Sequence, residues 1–328
     1  MKKLVSFFGS DTDVFRMLNK KAEEYARTKD IEYVWVPQNP YDVEEVIRQL
    51  NDADAGLIDV EPYGEPVFSR MNDRCKLLIR FGVGYDKVDL KAASAHHIAV
   101  TRTTGANKTG VAEMALTQIL MARRMMRAGR KVVESGVWDK PIGHETVRMR
   151  VGILGFGNIG AQLAELLQGF HCELLAYDTY HNDALAKEFK VQWTTMEEIF
   201  DTCDAISVHL PYSEETHHLI GKEYLGRMKQ DAVIVCTARG NIIDEDALYE
   251  VLKEGRIGGA GLDVFSAEPF PADSKLIGLD NIVLSPHIAS QTVESNWYTY
   301  QKAIDIMADF FAGKELGKSD LLNPEYNA

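Results

Sequence analysis

Short apolar runs alternate along this chain with longer stretches in which apolar positions recur every three to four residues. In the first hundred residues the runs Leu4–Phe8, Tyr33–Val36, Gly56–Val60, Leu77–Phe81 and Ile98–Thr101 have strand length, with helical spacing between them. Such alternation predicts a parallel sheet covered by helices, because parallel neighbours need a crossover element that buries the sheet face. A long Ala/Leu/Met/Arg-rich helical pattern follows over Thr109–Ser135 and stops near Gly136. After a loop through Pro141 and Gly143, a second series begins: Val151–Leu154, Glu173–Tyr177, Ala205–Val208, Ala232–Cys236, Ala260–Leu262 and Ile282–Leu284, read as a second sheet of about six strands. A last helical pattern, from about Thr292 to Ala312, is expected to return to the first sheet.

At 328 residues the chain exceeds what one hydrophobic core usually supports. The expected fold is α/β: two Rossmann- or flavodoxin-like parallel-sheet domains separated by a cleft, residues 1–103 with about 297–328 and residues 104–296.

Composition narrows the class. A hydrophobic fraction of 45% and a charged fraction of 26% match ordinary soluble domains. The net charge of −13 argues against nucleic acid as a partner, since backbone binding needs clustered Lys and Arg. An anionic ligand must then be held locally, by a placed Arg or by helix-terminal N–H groups. No apolar stretch approaches the ~20 residues of a membrane span, and the opening Met-Lys-Lys-Leu-Val reads as a first strand rather than a signal peptide, so no membrane role and a cytoplasmic location are expected. The four cysteines, Cys75, Cys172, Cys203 and Cys236, lack metal or disulfide spacing and read as reduced, mostly buried thiols. His96-His97 and His217-His218 lack suitably spaced Cys or carboxylate companions, so no metal site is expected.

Directly after Val151-Gly152-Ile153-Leu154 stands Gly155-Phe156-Gly157-Asn158-Ile159-Gly160, followed by helical spacing over 161–169. This is G-x-G-x-x-G in its required strand-turn-helix setting: Gly155 for the tight turn, Gly157 for close approach to a pyrophosphate, Gly160 for helix-strand packing, with Asn158 and Ile159 N–H groups offered to phosphate. Asp178 ends the next strand, where a carboxylate accepts from both ribose hydroxyls of NAD, and Thr179-Tyr180-His181 supply no Arg for a 2′-phosphate. The cofactor read from these residues is NAD.

Three later strand ends carry polar residues: Arg239 in 237–240, Glu268 in 261–269 and His287 in 285–290. Reducing a keto acid needs a cation for the carboxylate, a proton donor beside the carbonyl, and a group that keeps the donor protonated; Arg239, His287 and Glu268 supply one of each. His209 reads as a strand-end residue near cofactor.

These motifs, with Gly82-Val83-Gly84-Tyr85-Asp86, Gly105-Ala106-Asn107, Val111-Ala112-Glu113 and Val208-His209-Leu210-Pro211, resemble the D-2-hydroxyacid dehydrogenase family across essentially the whole chain. The resemblance implies a substrate (catalytic) domain and an NAD-binding domain, and a catalytic triad. In it Arg239 binds the substrate carboxylate and carbonyl, His287 exchanges the proton and Glu268 bonds His287. It further implies that backbone N–H groups at Val83 and Gly84 hold the carboxylate, and that His209, Pro211, Thr237, Ala238, Arg239 and Asp263 lie on the cofactor side. It also implies a homodimer, for which the Thr109–Ser135 helix is a candidate interface.

The expected activity is hydride transfer between nicotinamide and a small 2-hydroxy or 2-keto acid. Where phosphoglycerate-specific relatives tend to carry Arg, this chain has Asp59 and Glu61, which would repel phosphate, so pyruvate, glyoxylate or hydroxypyruvate is favoured. Alternatives are a phosphoglycerate dehydrogenase and an NAD-sensing corepressor-like binding protein. Formate dehydrogenases carry Gln at the place of Glu268, and Thr104 stands where the family usually has Pro.

Overall fold

The computed structural model describes residues 1–37 and 41–327. Two compact units divide the chain, Met1–Asn107 with Thr292–Ala328 and Lys108–Gln291; the sequence pattern alone puts these breaks after residues 103 and 296.

In the first unit, β1 (Lys2–Ser6), β2 (Ile31–Trp35), β3 (Ala55–Ile58), β4 (Leu77–Arg80) and β5 (Ala99–Arg102) form one sheet in the order β2-β1-β3-β4-β5, every pairing parallel. This is the flavodoxin-like order. Successive strand residues face opposite ways, so Leu4, Leu57, Leu77, Ile79 and Ala99 line one core while Val5, Ile58, Leu78 and Val100 line another. The helix Val293–Phe311 contributes Tyr300, Ile304 and Met307 to the first of these cores, beside Leu18 and Ala22 of the helix Asp13–Arg27. The last helix does return to the first sheet, and its fully buried Tyr300 and Met307 show why: burying such a side chain is worth about 1.5–3 kcal/mol.

The second unit holds β6 (Arg150–Leu154), β7 (Glu173–Tyr177), β8 (Val191–Trp193), β9 (Ala205–Val208), β10 (Val233–Cys236), β11 (Gly259–Leu262) and β12 (Ile282–Leu284), in the order β12-β11-β10-β9-β6-β7-β8, again all parallel. The strand order reverses between β6 and β9, and ligands of open parallel sheets bind at the carboxyl ends of strands at such a switch point. Strand β8 escapes the hydrophobic pattern because it has three residues, of which Val191 alone is buried.

The helical stretch 109–135 is two helices, Lys108–Arg123 and Met126–Ser135. Arg123 causes the break: its side chain is buried and donates to Glu145 O and Asp204 O, while its carbonyl accepts from His144 N at 2.8 Å. The chain turns through Met125, left-handed at φ 49°. No helix among the described residues is long and apolar enough to cross a membrane.

Candidate active site of the second unit

Six residues stand immediately after strands of the second sheet, all at its carboxyl edge: Gly155 after β6, Asp178 after β7, His209 after β9, Thr237 after β10, Asp263 after β11 and Ser285 after β12. A parallel sheet places all such ends on one side, which is why residues up to 130 positions apart share it.

At the switch point Gly155 has φ +93°, and a Cβ there would lie 2.8 Å from the His209 backbone, so only glycine lets the turn rest on the end of β9. A Cβ at Gly160 would lie 2.3 Å from Gly155 O, whereas one at Gly157 would meet open space. The three glycines thus divide as the fingerprint requires: two pack, and one leaves its backbone approachable. The helix Asn158–Leu167 starts at Gly157 without a side-chain cap, which leaves its first N–H groups available to an anion. Phe156 N donates to Asp178 Oδ2 at 2.7 Å and Tyr180 N to Oδ1 at 3.0 Å, so Asp178 is pinned by both strand-end loops with lone pairs to spare.

Two polar atoms at this edge are buried without partners, His209 Nδ1 and Thr237 Oγ1. Buried groups of this kind are costly unless a ligand or water satisfies them. With the uncapped helix and Asp178 they fit a dinucleotide. Desolvation lowers the His209 pKa to about 4, and its Nε2 lies 2.8 Å from Ser207 Oγ, so the ring is neutral at pH 7. Pro211 is exposed and accepts from Thr216 Oγ1 at 2.8 Å. Ala238 O accepts from Arg239 Nη1 at 2.7 Å.

The three residues expected to react, Arg239, Glu268 and His287, lie on loops joined by a chain of contacts. A Cβ at Gly240 would lie 1.9 Å from Phe265 O, so the Arg239 loop and the loop after β11 meet backbone to backbone. Phe265 N donates to Glu268 Oε1 at 3.1 Å, and Glu268 Oε2 lies 2.8 Å from His287 Nδ1. That leaves His287 Nε2 as the ring atom able to serve a substrate. His287 itself is left-handed, φ +54°, a conformation that histidine adopts more readily than most residues and that His97, His171 and His218 share.

Asp263 is fully buried, and its carboxylate accepts from Ser285 Oγ (2.5 Å), Ile288 N (3.0 Å) and Ala289 N (2.8 Å). Its backbone carbonyl takes His287 N at 2.7 Å. Asp263 therefore holds the loop that carries His287. Ser285, Gly240 and the Phe265 backbone belong to the same assembly and were not singled out by the sequence pattern, which does not show which loops touch.

In the first unit, Val83 and Gly84 follow Gly82, whose φ of +110° and bonds with Thr103 (Gly82 N to Oγ1, 2.8 Å; Thr103 N to Gly82 O, 3.0 Å) set the turn beyond β4. Burial raises the Asp59 and Glu61 carboxyls above their ordinary values, with Arg80 Nη1 3.7 Å from Asp59 Oδ1 opposing the rise at Asp59. Burial also pushes the Cys75 and Cys203 thiols up to about 12 and those of Cys172 and Cys236 to about 11, so all four are protonated and free. Among the described residues no group of three or more His, Cys, Asp or Glu could hold a metal ion.

Comparison with known proteins places this geometry. The family profile described as D-isomer specific 2-hydroxyacid dehydrogenase, NAD binding domain, matches residues 116–289. A glyoxylate reductase of Korarchaeum cryptofilum is 36% identical over 270 residues, covering 80% of this chain and 81% of its own. A hydroxypyruvate reductase of Thermotoga maritima is 36% identical over 247 residues, covering 74% and 78%. The solved structure of a D-2-hydroxyisocaproate dehydrogenase superposes with a TM-score of 0.84 at 25% identity, covering 98% of this chain and 100% of that one. Because the profile spans the glycine turn through His287 and relatives more than a third identical cover 74–80% of the chain, it belongs to the NAD-dependent D-isomer specific 2-hydroxyacid dehydrogenases.

Proposed function

We propose that this enzyme reduces a small, non-phosphorylated 2-keto acid such as glyoxylate, hydroxypyruvate or pyruvate to the 2-hydroxy acid, and runs the reverse oxidation. The observation that carries the proposal is the Glu268–His287 pair at the carboxyl edge of the second sheet, 2.8 Å between Oε2 and Nδ1.

NAD, when bound, supplies or receives the hydride at the substrate's C2. His287 in its imidazolium form gives its Nε2 proton to the carbonyl oxygen as the C2 centre is reduced, and takes one back in oxidation. Glu268 holds the ring through Nδ1. General acid–base help of about 10²–10⁴-fold corresponds to ~3–5 kcal/mol of barrier. Arg239 is assigned to the substrate carboxylate, a planar anion that suits a guanidinium. Backbone N–H groups of Val83 and Gly84 are assigned to the same carboxylate, on the strength of the family likeness. The dinucleotide is assigned to 155–160 and Asp178, with His209, Pro211, Thr237, Ala238, Arg239 and Asp263 on the nicotinamide side.

The preference against phosphate rests on Asp59 and Glu61, although Arg80 beside Asp59 offsets part of that repulsion. Support for a small substrate also comes from relatives named glyoxylate reductase and hydroxypyruvate reductase, at 36% identity, set against others named D-3-phosphoglycerate dehydrogenase, at 33–34% identity, of whose length this chain spans about half. A homodimer is part of the same reading. The helix Met126–Ser135 has no buried residue, and Met126, Val133, Val137, Trp138, Ile142 and Val147 are exposed within one 22-residue stretch, an apolar surface suited to a second copy.

The test follows NADH absorbance with a panel of 2-keto acids, with Arg239→Ala and His287→Ala as controls. Fast oxidation with one small acid, lost in both variants, supports the assignment; turnover of a phosphorylated acid alone refutes the substrate class.

A further inference from the structure

Gln118 lies in the helix Lys108–Arg123, on a stripe otherwise made of Ala115, Ile119 and Ala122, and is 1% exposed. A buried amide in an apolar stripe costs stability unless its polar atoms are used, and here one is: Gln118 Nε2 donates to Ser285 Oγ at 3.1 Å, while Oε1 has no partner. Strand β11 makes room for it. A Cβ at Gly261 would lie 2.7 Å from Gln118 Cβ and 3.0 Å from its Oε1.

The direction of these bonds follows from chemistry. Asp263 Oδ1 is an acceptor, so Ser285 must spend its single hydroxyl hydrogen on it across 2.5 Å. Ser285 Oγ is then left to accept, and the amide must present its nitrogen. The same carboxylate holds Ile288 N and Ala289 N, and His287 lies between them and Ser285.

We propose that Gln118 is a positioning residue for His287, acting through Ser285 and Asp263: its Nε2 holds the serine oxygen in place as the hydroxyl donates to the carboxylate that anchors the 285–289 loop. The inference rests on the reading of His287 as the proton-exchanging group.

The test compares the wild-type enzyme with Gln118→Leu, Gln118→Glu and Ser285→Ala. Gln118→Leu removes the donor and also the unpartnered Oε1. It should lower kcat about tenfold, the size of one lost hydrogen bond, with the NADH KM unchanged and the pH–rate profile displaced. Its thermal midpoint should equal or exceed the wild type. Gln118→Glu places an acceptor against Ser285, drawing the hydrogen off Asp263, and should lose more activity than Gln118→Leu; Ser285→Ala should match Gln118→Leu. A Gln118→Leu enzyme with wild-type kcat and pH profile overturns the proposal. So does one whose kcat and thermal midpoint fall together, the mark of packing alone. Should the wild type reduce no 2-keto acid, the functional reading fails instead, and NMR titration of the His287 ring decides for Gln118. Displacement in Gln118→Leu supports positioning, and coincidence with the wild type overturns it.

Discussion

His287 Nδ1 and Glu268 Oε2 stand 2.8 Å apart, and the same carboxylate reaches back through Oε1 to Phe265 N at 3.1 Å, so the partner of the histidine is itself held by its loop. Both side chains remain partly exposed, 44% and 38%, so the pair adds little to stability, as is usual of exposed pairs.

Glu268→Gln keeps the shape and removes the charge. We expect kcat to fall by about 10–100-fold, at or below the lower end of what acid–base assistance supplies because Gln can still hold the ring, with the unfolding midpoint little changed. Steady-state kinetics beside thermal melts check this, and an unchanged kcat would show that the carboxylate plays no part.

Asp178→Ala should weaken NADH binding about tenfold or more, because charge-assisted bonds to the ribose are lost along with the Phe156 N and Tyr180 N anchors. NADPH should lose less, since about 4 kcal/mol of like-charge repulsion at 4 Å and an effective dielectric near 20 is relieved. Fluorescence titrations with both nucleotides measure the ratio; equal losses would contradict the assignment.

Asp263→Ala removes a fully buried carboxylate and with it the acceptor of Ser285 Oγ, Ile288 N and Ala289 N, the Ala289 bond being buried and the other two partly so. At about 1–3 kcal/mol per unsatisfied group, we expect roughly 3 kcal/mol or more of lost stability in urea unfolding. A loss under about 1 kcal/mol would mean that the loop does not depend on this anchor.

The His209 imidazole, lowered to about 4 by desolvation, supplies a pH dependence of stability. Its unfolded value is ~6.5, so between these values the unfolded chain binds a proton that the folded chain refuses. Stability therefore falls as pH drops from about 6.5 to about 4, by at most ~3 kcal/mol and less to the extent that the partly buried ring stays hydrated. Urea unfolding of wild type and His209→Gln at pH 7 and pH 5 isolates this component; parallel pH slopes in the two proteins would refute it.

Trp138→Glu tests the second copy. Sedimentation should give a dimer for wild type at micromolar concentration and a lighter species for the variant, because a charge placed in an apolar interface is not repaid. A monomeric wild type removes the dimer from the reading.

Much of this was legible in order along the chain. Local patterns determined that the protein is α/β with two parallel sheets, since periodicities of two and 3.6 residues declare strands and crossover helices without reference to distant contacts. The strand-turn-helix setting of Gly155, Gly157 and Gly160 and the strand-end places of Asp178, Arg239 and His287 came from the same source. Tertiary structure alone decided what touches what. The break at Arg123 depends on carbonyls of Glu145 and Asp204, β8 exists through pairing with β7, and Gln118 meets Ser285 across 167 positions. Hydrophobic spacing is a property of neighbours in sequence, whereas the partner of a buried hydrogen-bonding group is chosen by packing, and no local pattern carries that choice.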